Sequence, residues 1–127
     1  MAFPCSGFVP KSEMGMIIDW AKEVPYAVTI CDRDGIILEM NDRSALTFEK
    51  DGGRALIGSN LLTCHPEPSR SRLAELLNEG RSNLYSIEKN GVKKLIVQTP
   101  WFSSGAYAGL VELSIEMPAD MPHFVRS

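Results

Sequence analysis

The chain has 127 residues and a mass of 14.0 kDa, enough for one domain with a single core but too little for two domains. Hydrophobic residues make up 44% and charged residues 23%, a balance that excludes a disordered or fibrous chain. The net charge is −3 and no basic run exceeds Lys93-Lys94, so we expect no nucleic-acid partner.

The cysteines indicate a reducing compartment. Cys5, Cys31 and Cys64 form neither an even disulfide set nor a C-x-x-C pair. The amino terminus lacks the charged and apolar regions of a signal peptide, and no apolar run approaches the roughly 18 residues of a membrane span. We therefore expect a cytoplasmic protein without a membrane partner.

The first periodic segment is a predicted flanking helix over residues 12–23, after an extended or disordered segment at residues 1–11. Ser12 is suited to the N-cap, and Pro25 ends the pattern. Apolar side chains recur at helical spacing and form one stripe: Met14, Ile17, Ile18 and Ala21. This stripe packs either on the chain's own sheet or on a second chain.

Two short strands are predicted next, over residues 27–31 and 36–40. The turn sequence Asp32-Arg33-Asp34-Gly35 separates them, with Gly at the position that needs a positive φ. Residues 41–56 are polar and interrupted by Gly52-Gly53, which predicts short irregular helices.

A longer helix is predicted from Pro66 to the αL stop at Gly80, with Leu73, Leu76 and Leu77 on one face. Strands over residues 83–88 and 92–102 flank the hairpin signal Asn90-Gly91.

The last strand, residues 110–117, alternates apolar with polar side chains. Val111, Leu113 and Ile115 share one face, and we expect the opposite row, which contains Glu112, to face water. These elements predict an α+β domain over residues 24–117, with a five-stranded antiparallel sheet covered on one face by helices, and a tail at residues 118–127.

Five local sequences resemble those of the PAS domain family, in the family's order, over residues 17–117. They are Val24-Pro25-Tyr26-Ala27-Val28, Cys31-Asp32-Arg33-Asp34-Gly35-Ile36-Ile37, Asn41, Leu56-Ile57-Gly58-Ser59-Asn60 and Glu88-Lys89-Asn90-Gly91. The resemblance implies a sensory or docking module whose pocket holds haem, flavin, a small carboxylate or nothing. It also implies a homodimer in which the flanking-helix stripe, and often the back of the sheet, forms the interface.

The resemblance disfavours two cofactors. Flavin photosensors of the family carry a reactive Cys directly after G-x-N, where this chain has Leu61. Haem sensors carry a proximal His on the longer helix, where this chain has Leu73. The resemblance leaves the identity of any other cofactor open.

Polar and aromatic residues near the predicted pocket are candidates for binding an anionic or polar ligand. These candidates are Asn60, His65, Arg70, Arg72, Tyr85, Gln98, Thr99 and Trp101. The arginines also suit a solvated helix face, and Trp101 also suits the core. Cys64-His65 lacks the spaced third and fourth ligands of a closed zinc site, so no metal is expected.

Two classes of function fit this sequence. The first is a signal-input module that binds a small molecule or a partner and acts on an effector protein, either free-standing or as part of a longer protein. The second is a ligand carrier or enzyme that uses His65, which would need a polar partner such as Glu67. The common nucleophile, nucleotide and zinc-hydrolase motifs are absent from the sequence, which favours the non-catalytic alternative. A purely structural dimerisation domain with a collapsed core is a third alternative.

Overall fold

The computed structural model describes residues 18–127. Its regular elements are β1 (Ala27–Cys31), β2 (Ile37–Met40), α1 (Asp42–Thr47), α2 (Ser69–Glu79), β3 (Asn83–Lys89), β4 (Val92–Ser103) and β5 (Ala106–Met117). Three short 3₁₀ helices, Glu49–Asp51, Gly53–Leu56 and Leu61–Cys64, connect α1 to α2. The predicted run of irregular short helices is thus confirmed, and α2 begins three residues after Pro66.

The strands form one antiparallel sheet in the order β2-β1-β5-β4-β3. This arrangement confirms the predicted α+β fold with a five-stranded sheet. The first and last strands of the sequence are neighbours at its centre, and the helical segment between β2 and β3 covers one face. A cavity can therefore form between these helices and the central strands.

Tight turns set the lengths of the hairpins. Asn90 and Gly91 have φ of 53° and 79°, as the predicted two-residue turn requires. Ser104 and Gly105 form a second turn of this kind, with φ of 51° and 82°. Because that turn is so tight, β4 and β5 extend to Ser103 and Ala106, beyond their predicted ends.

The core lies between α2 and the central strands. Leu73, Leu76 and Leu77 of α2 pack with Cys31 of β1 and Leu110 of β5, and Leu76 is only 2% exposed. The helix ends at Gly80 in the αL conformation, with φ of 64°, as predicted. The sheet supports the end of α2, because the hydroxyl of Tyr107 donates to the carbonyl of Leu77 at 2.7 Å.

Asn41 links three parts of the chain: the segment before β1, β1 itself and α1. Its Oδ1 accepts from the main-chain N–H groups of Val28 and Ser44, both at 2.9 Å. Its Nδ2 donates to the carbonyls of Ala21 and Tyr26, both at 2.8 Å. The buried amide therefore uses both of its donors and both of its acceptor positions.

The prediction of a helix over residues 12–23 is wrong for the part that the structure describes. Residues 18–23 contain a turn at 21–23 and no helix. The carbonyls of Ala21 and Lys22 accept from the Asn41 side chain and the Asp42 N–H, and these long-range bonds hold the segment in a turn against the start of α1. In the proposed dimer stripe, Ile18 is exposed, while Met14 and Ile17 lie outside the described residues.

The alternation of β5 is as predicted, but the expected orientation of its two faces is wrong. Glu112 pairs with Thr29 of β1 and with Gln98 of β4, and directly opposed residues share a face. Thr29 contacts Ser44 of α1, so this polar row lies beneath the helices. The outer face of the sheet instead carries half-buried apolar side chains: Ile30, Leu95, Val97, Val111, Leu113 and Ile115.

Candidate functional site

Two adjoining cavities lie between the helical segment and the sheet, each of about 370 Å³. The first, the turn cavity, is lined by Thr29, Ile37, Met40, Phe48, Asp51, Leu56, Leu61, Cys64, His65 and Glu112. The second, the helix cavity, is lined by His65, Pro68, Ser69, Arg72, Leu73, Asn83, Leu84, Tyr85 and Gln98. His65 lines both, so the two cavities meet at its side chain.

A row of polar side chains on the inner face of the sheet runs beneath both cavities; we call Thr29, Glu112, Gln98 and Asn83 the polar row. Gln98 is its centre and is only 7% exposed. The Gln98 amide accepts from Asn83 Nδ2 at 3.1 Å and donates to Glu112 Oε2 at 2.9 Å. The Thr29 hydroxyl contacts the Ser44 hydroxyl at 2.6 Å. These bonds fix the positions of the polar groups that a molecule in either cavity would meet.

His65 is held at the junction of the cavities by the turn that precedes it. Its Nδ1 lies 2.7 Å from the carbonyl oxygen of Leu61. Because a carbonyl can only accept, Nδ1 carries the proton, and Nε2 is the acceptor in the neutral ring. The side chain of Glu67 instead accepts from Ser71, which lowers the pKa of that carboxyl. A catalytic His65 would need an acidic partner, but the group that His65 Nδ1 contacts is the main-chain carbonyl of Leu61.

Two of the predicted pocket residues stabilise the loop between β2 and α2. Asn60 Oδ1 accepts from the N–H of Leu62 at 2.8 Å, and Asn60 Nδ2 donates to the carbonyl of Asp34 at 3.2 Å. Arg70 Nε donates to the carbonyls of Leu62 and His65, both at 3.1 Å. The structure thus places both side chains outside the linings of the two cavities.

Thr99 and Trp101 also lie outside these linings, towards the outer face. The Thr99 hydroxyl pairs with that of Ser82 at 2.8 Å. The indole of Trp101 crosses β5 at Gly109, and its Nε1 donates to the carbonyl of Cys31 at 3.0 Å. Trp101 therefore connects β4 to β1 across the intervening strand.

The other predicted pocket residues, His65, Arg72, Tyr85 and Gln98, converge on the helix cavity. Burial raises the pKa of Tyr85, and the nearby Glu112 carboxylate raises it further, while Arg72 opposes both effects. The Tyr85 hydroxyl is therefore neutral and can donate at physiological pH. The helix cavity offers a guanidinium, a phenol and two amides.

Sequence reasoning missed Glu112, Thr29 and Asn83. Counting outward from the Asn90-Gly91 turn pairs Asn83 with Gln98, as the structure shows, so the sequence carried a signal for that pair. Glu112 had no such signal, because its alternating strand is typical of a solvated face.

The two positions that carry the cofactors of PAS sensors do not fit those cofactors here. Leu73 is buried in the core, and Leu61 begins a 3₁₀ helix and lines the turn cavity. Neither side chain can ligate iron or form a flavin thioether. Within residues 18–127, no group of three or more His, Cys, Asp or Glu side chains is arranged to hold a metal ion. None of the helices in that range has the length and apolar character needed to cross a membrane.

Comparison with known proteins supports the fold by structural similarity and not by sequence similarity. No family model matches the chain, and no curated protein sequence matches it. Solved structures do match: a C-terminal domain from Streptococcus mutans has a TM-score of 0.62 at 17% identity, over 90% of each chain.

Other matching structures come from sensor proteins. The Aer2 receptor from Vibrio cholerae, described as a dual PAS-heme oxygen sensor, has a TM-score of 0.55 at 15% identity, over 73% of this chain and 95% of that one. The PAS domain of nitrogen regulation protein NR(II) from Vibrio parahaemolyticus has a TM-score of 0.54 at 15% identity, over 77% and 94%. The chain has a PAS-like fold, as the sequence resemblance predicted.

Proposed function

We propose that this chain is a non-catalytic, cytoplasmic sensory module that binds a small polar molecule between its helices and its sheet. Binding would change the packing of the helical segment and so act on an effector protein. The observation that carries the proposal is the polar row beneath the two cavities. The matched PAS domains of sensor proteins support a sensory role, and the free thiols of Cys31 and Cys64 are typical of a reducing compartment.

Polar side chains that are buried at this position lower the stability of the fold unless they form hydrogen bonds there. Burial of an amide costs about 1–3 kcal/mol when its hydrogen bonds are not replaced. The Gln98 amide does find partners in Asn83 and Glu112, but apolar side chains would fill the same space without needing any. Hydrogen-bonded polar side chains that line an open cavity are typical of a ligand site.

We propose in addition that the module works as a homodimer. The apolar side chains on the outer face of the sheet, including Leu113 and Val97, are only half-buried within one chain. A second copy would bury this face. A change on the inner face of the sheet would then alter how the two copies pack against each other. In this proposal Met14, Ile17, Ile18 and Ala21 would contribute the rest of the interface.

Native mass spectrometry with an absorbance scan of the purified protein tests both proposals. A bound mass that is released on denaturation supports the ligand proposal, and a visible band identifies a coloured ligand. The ligand proposal fails if the protein is free of ligand and if no compound in a panel of small polar metabolites raises its Tm.

The same spectrum tests the dimer, because a monomer of 14.0 kDa at micromolar concentration contradicts it. Leu113→Arg on the outer face should convert a dimer to monomer. Leu46→Arg, the same change at an exposed position of α1 outside both cavities, is the matched control and should leave the dimer intact.

A further inference from the structure

The polar side chains of the turn cavity are almost all hydrogen-bond acceptors. Its ionisable residues are Asp51, Glu112, His65 and Cys64, and no Lys or Arg lines it. Ionised carboxylates only accept hydrogen bonds. The Nδ1 proton of His65 is already used by the carbonyl of Leu61, so only the accepting Nε2 of the neutral ring is left. Arg72 lines the helix cavity instead, which adjoins the turn cavity at His65.

Glu112 is the charged group on the sheet side of this cavity. One carboxylate oxygen, Oε2, accepts from Gln98, and the other makes no hydrogen bond with any residue in the range 18–127. A carboxylate has about four lone-pair positions, so most of its accepting capacity remains open. Because Glu112 lies on a central strand and is half-buried, its charge is less screened than that of an exposed carboxylate.

Asp51 lines the same cavity from an exposed 3₁₀ helix, whereas Glu112 lines it from the sheet. The two carboxylates therefore place negative charge on the exposed, helical side of the cavity and on its sheet side. The walls between them are hydrocarbon and aromatic: Ile37, Met40, Phe48, Leu56 and Leu61. A volume of about 370 Å³ lies near the lower end of the range of roughly 300–1,000 Å³ that is typical of small-molecule sites.

We propose that the turn cavity binds a small organic ammonium, a primary amine on an apolar body, with its N–H groups directed at Glu112. This inference rests on the proposed ligand-sensing function and names the class of ligand. An ammonium has three donors and no acceptor, which complements a lining of acceptors, and its positive charge offsets the two carboxylates. The apolar body fills the space between the walls, and Asp51 attracts the cation from the exposed side.

Titration calorimetry of the full chain with three matched probes tests this inference. The probes are 2-phenylethylamine, the neutral 2-phenylethanol and the anionic 3-phenylpropanoate, which share one apolar body. We expect the amine to bind at least about tenfold more tightly than either of the others, the ratio expected when one hydrogen bond to a charged group is lost.

Variants locate the binding site. Glu112→Gln keeps an oxygen that accepts from Gln98 and should weaken amine binding at least about tenfold. Glu116→Gln removes the same charge from the same strand outside the cavity lining and should leave the affinity unchanged. Asp51→Asn, in an exposed position, should slow amine association and reduce its salt dependence, and it serves as a second test if Glu112→Gln fails to fold.

Two results overturn the inference while leaving the proposed function intact. The first is equal or tighter binding of the alcohol or the carboxylate. The second is amine binding that Glu112→Gln and Asp51→Asn both leave unchanged. If none of the three probes binds, the ammonium inference is overturned, and the metabolite panel separately decides whether the protein binds a ligand at all.

Discussion

Asn41 makes four hydrogen bonds that hold three segments together, so Asn41→Ala should be strongly destabilising. The substitution leaves the N–H groups of Val28 and Ser44 without their acceptor. These residues are 3% and 0% exposed, so water cannot replace the lost bonds. Each orphaned buried donor costs about 1–3 kcal/mol, which gives about 2–6 kcal/mol for the two.

The carbonyls of Ala21 and Tyr26 lie in more exposed residues and can be hydrated, so they add little to this cost. Set against a typical total stability of about 5–15 kcal/mol, the loss is large. For a chain of this size, a loss of about 4 kcal/mol should lower Tm by roughly 12–24 °C.

Chemical denaturation followed by circular dichroism measures this loss. Asn78→Ala is the matched control, because Asn78 is exposed on α2 and should change stability by less than about 0.5 kcal/mol. The Asn41→Asp variant keeps the accepting oxygen but places a second oxygen against the two carbonyls, so it should also be destabilised. If Asn41→Ala unfolds within about 0.5 kcal/mol of the Asn78→Ala control, the account of Asn41 is wrong.

Further predictions concern the packing of β5 and of Cys31 on the neighbouring β1. Gly109→Ala should abolish folding, seen as loss of soluble protein with native circular dichroism, because its Cβ would lie 2.0 Å from the carbonyl oxygen of Cys31. Tyr107→Phe removes the hydrogen bond to Leu77 and should cost about 0.5–1.5 kcal/mol in urea unfolding; an unchanged midpoint would contradict this. Burial raises the pKa of the Cys31 thiol, so maleimide should label it far more slowly than the exposed Cys64, as measured by peptide mass spectrometry. Because the folded thiol ionises at higher pH than the unfolded one, its contribution to stability should decline as pH rises above the ordinary pKa of a thiol.

Local sequence was sufficient for most of the fold. The Asn90-Gly91 and Asp32–Gly35 turns, the αL stop at Gly80 and the leucine face of α2 each depend on a few neighbouring residues, and all were predicted correctly. The predicted helix over residues 12–23 was wrong in its described part, where Asn41, about 20 residues away, holds the segment in a turn through the carbonyls of Ala21 and Tyr26. Local periodicity cannot report such a long-range contact.

The candidate site, like the fold, could be predicted from the local sequence only in part. Four predicted pocket residues converge on the helix cavity, but Asn60 and Arg70 hydrogen-bond to main-chain groups of the loop beside it. The sequence shows that these side chains are polar and close along the chain. It does not show whether a main-chain carbonyl or an open cavity lies within their reach.

The sequence by itself determined that β5 has one apolar and one acidic face, because alternation with a period of two is a local property. Only the tertiary structure decided which face lies beneath the helices. Counting outward from the Ser104-Gly105 turn would pair Gln98 with Val111, but an irregularity between Trp101 and Phe102 shifts the register by one residue. Because a shift of one residue exchanges the two faces of a strand, this irregularity brings Glu112 into the polar row and turns the apolar side chains outward.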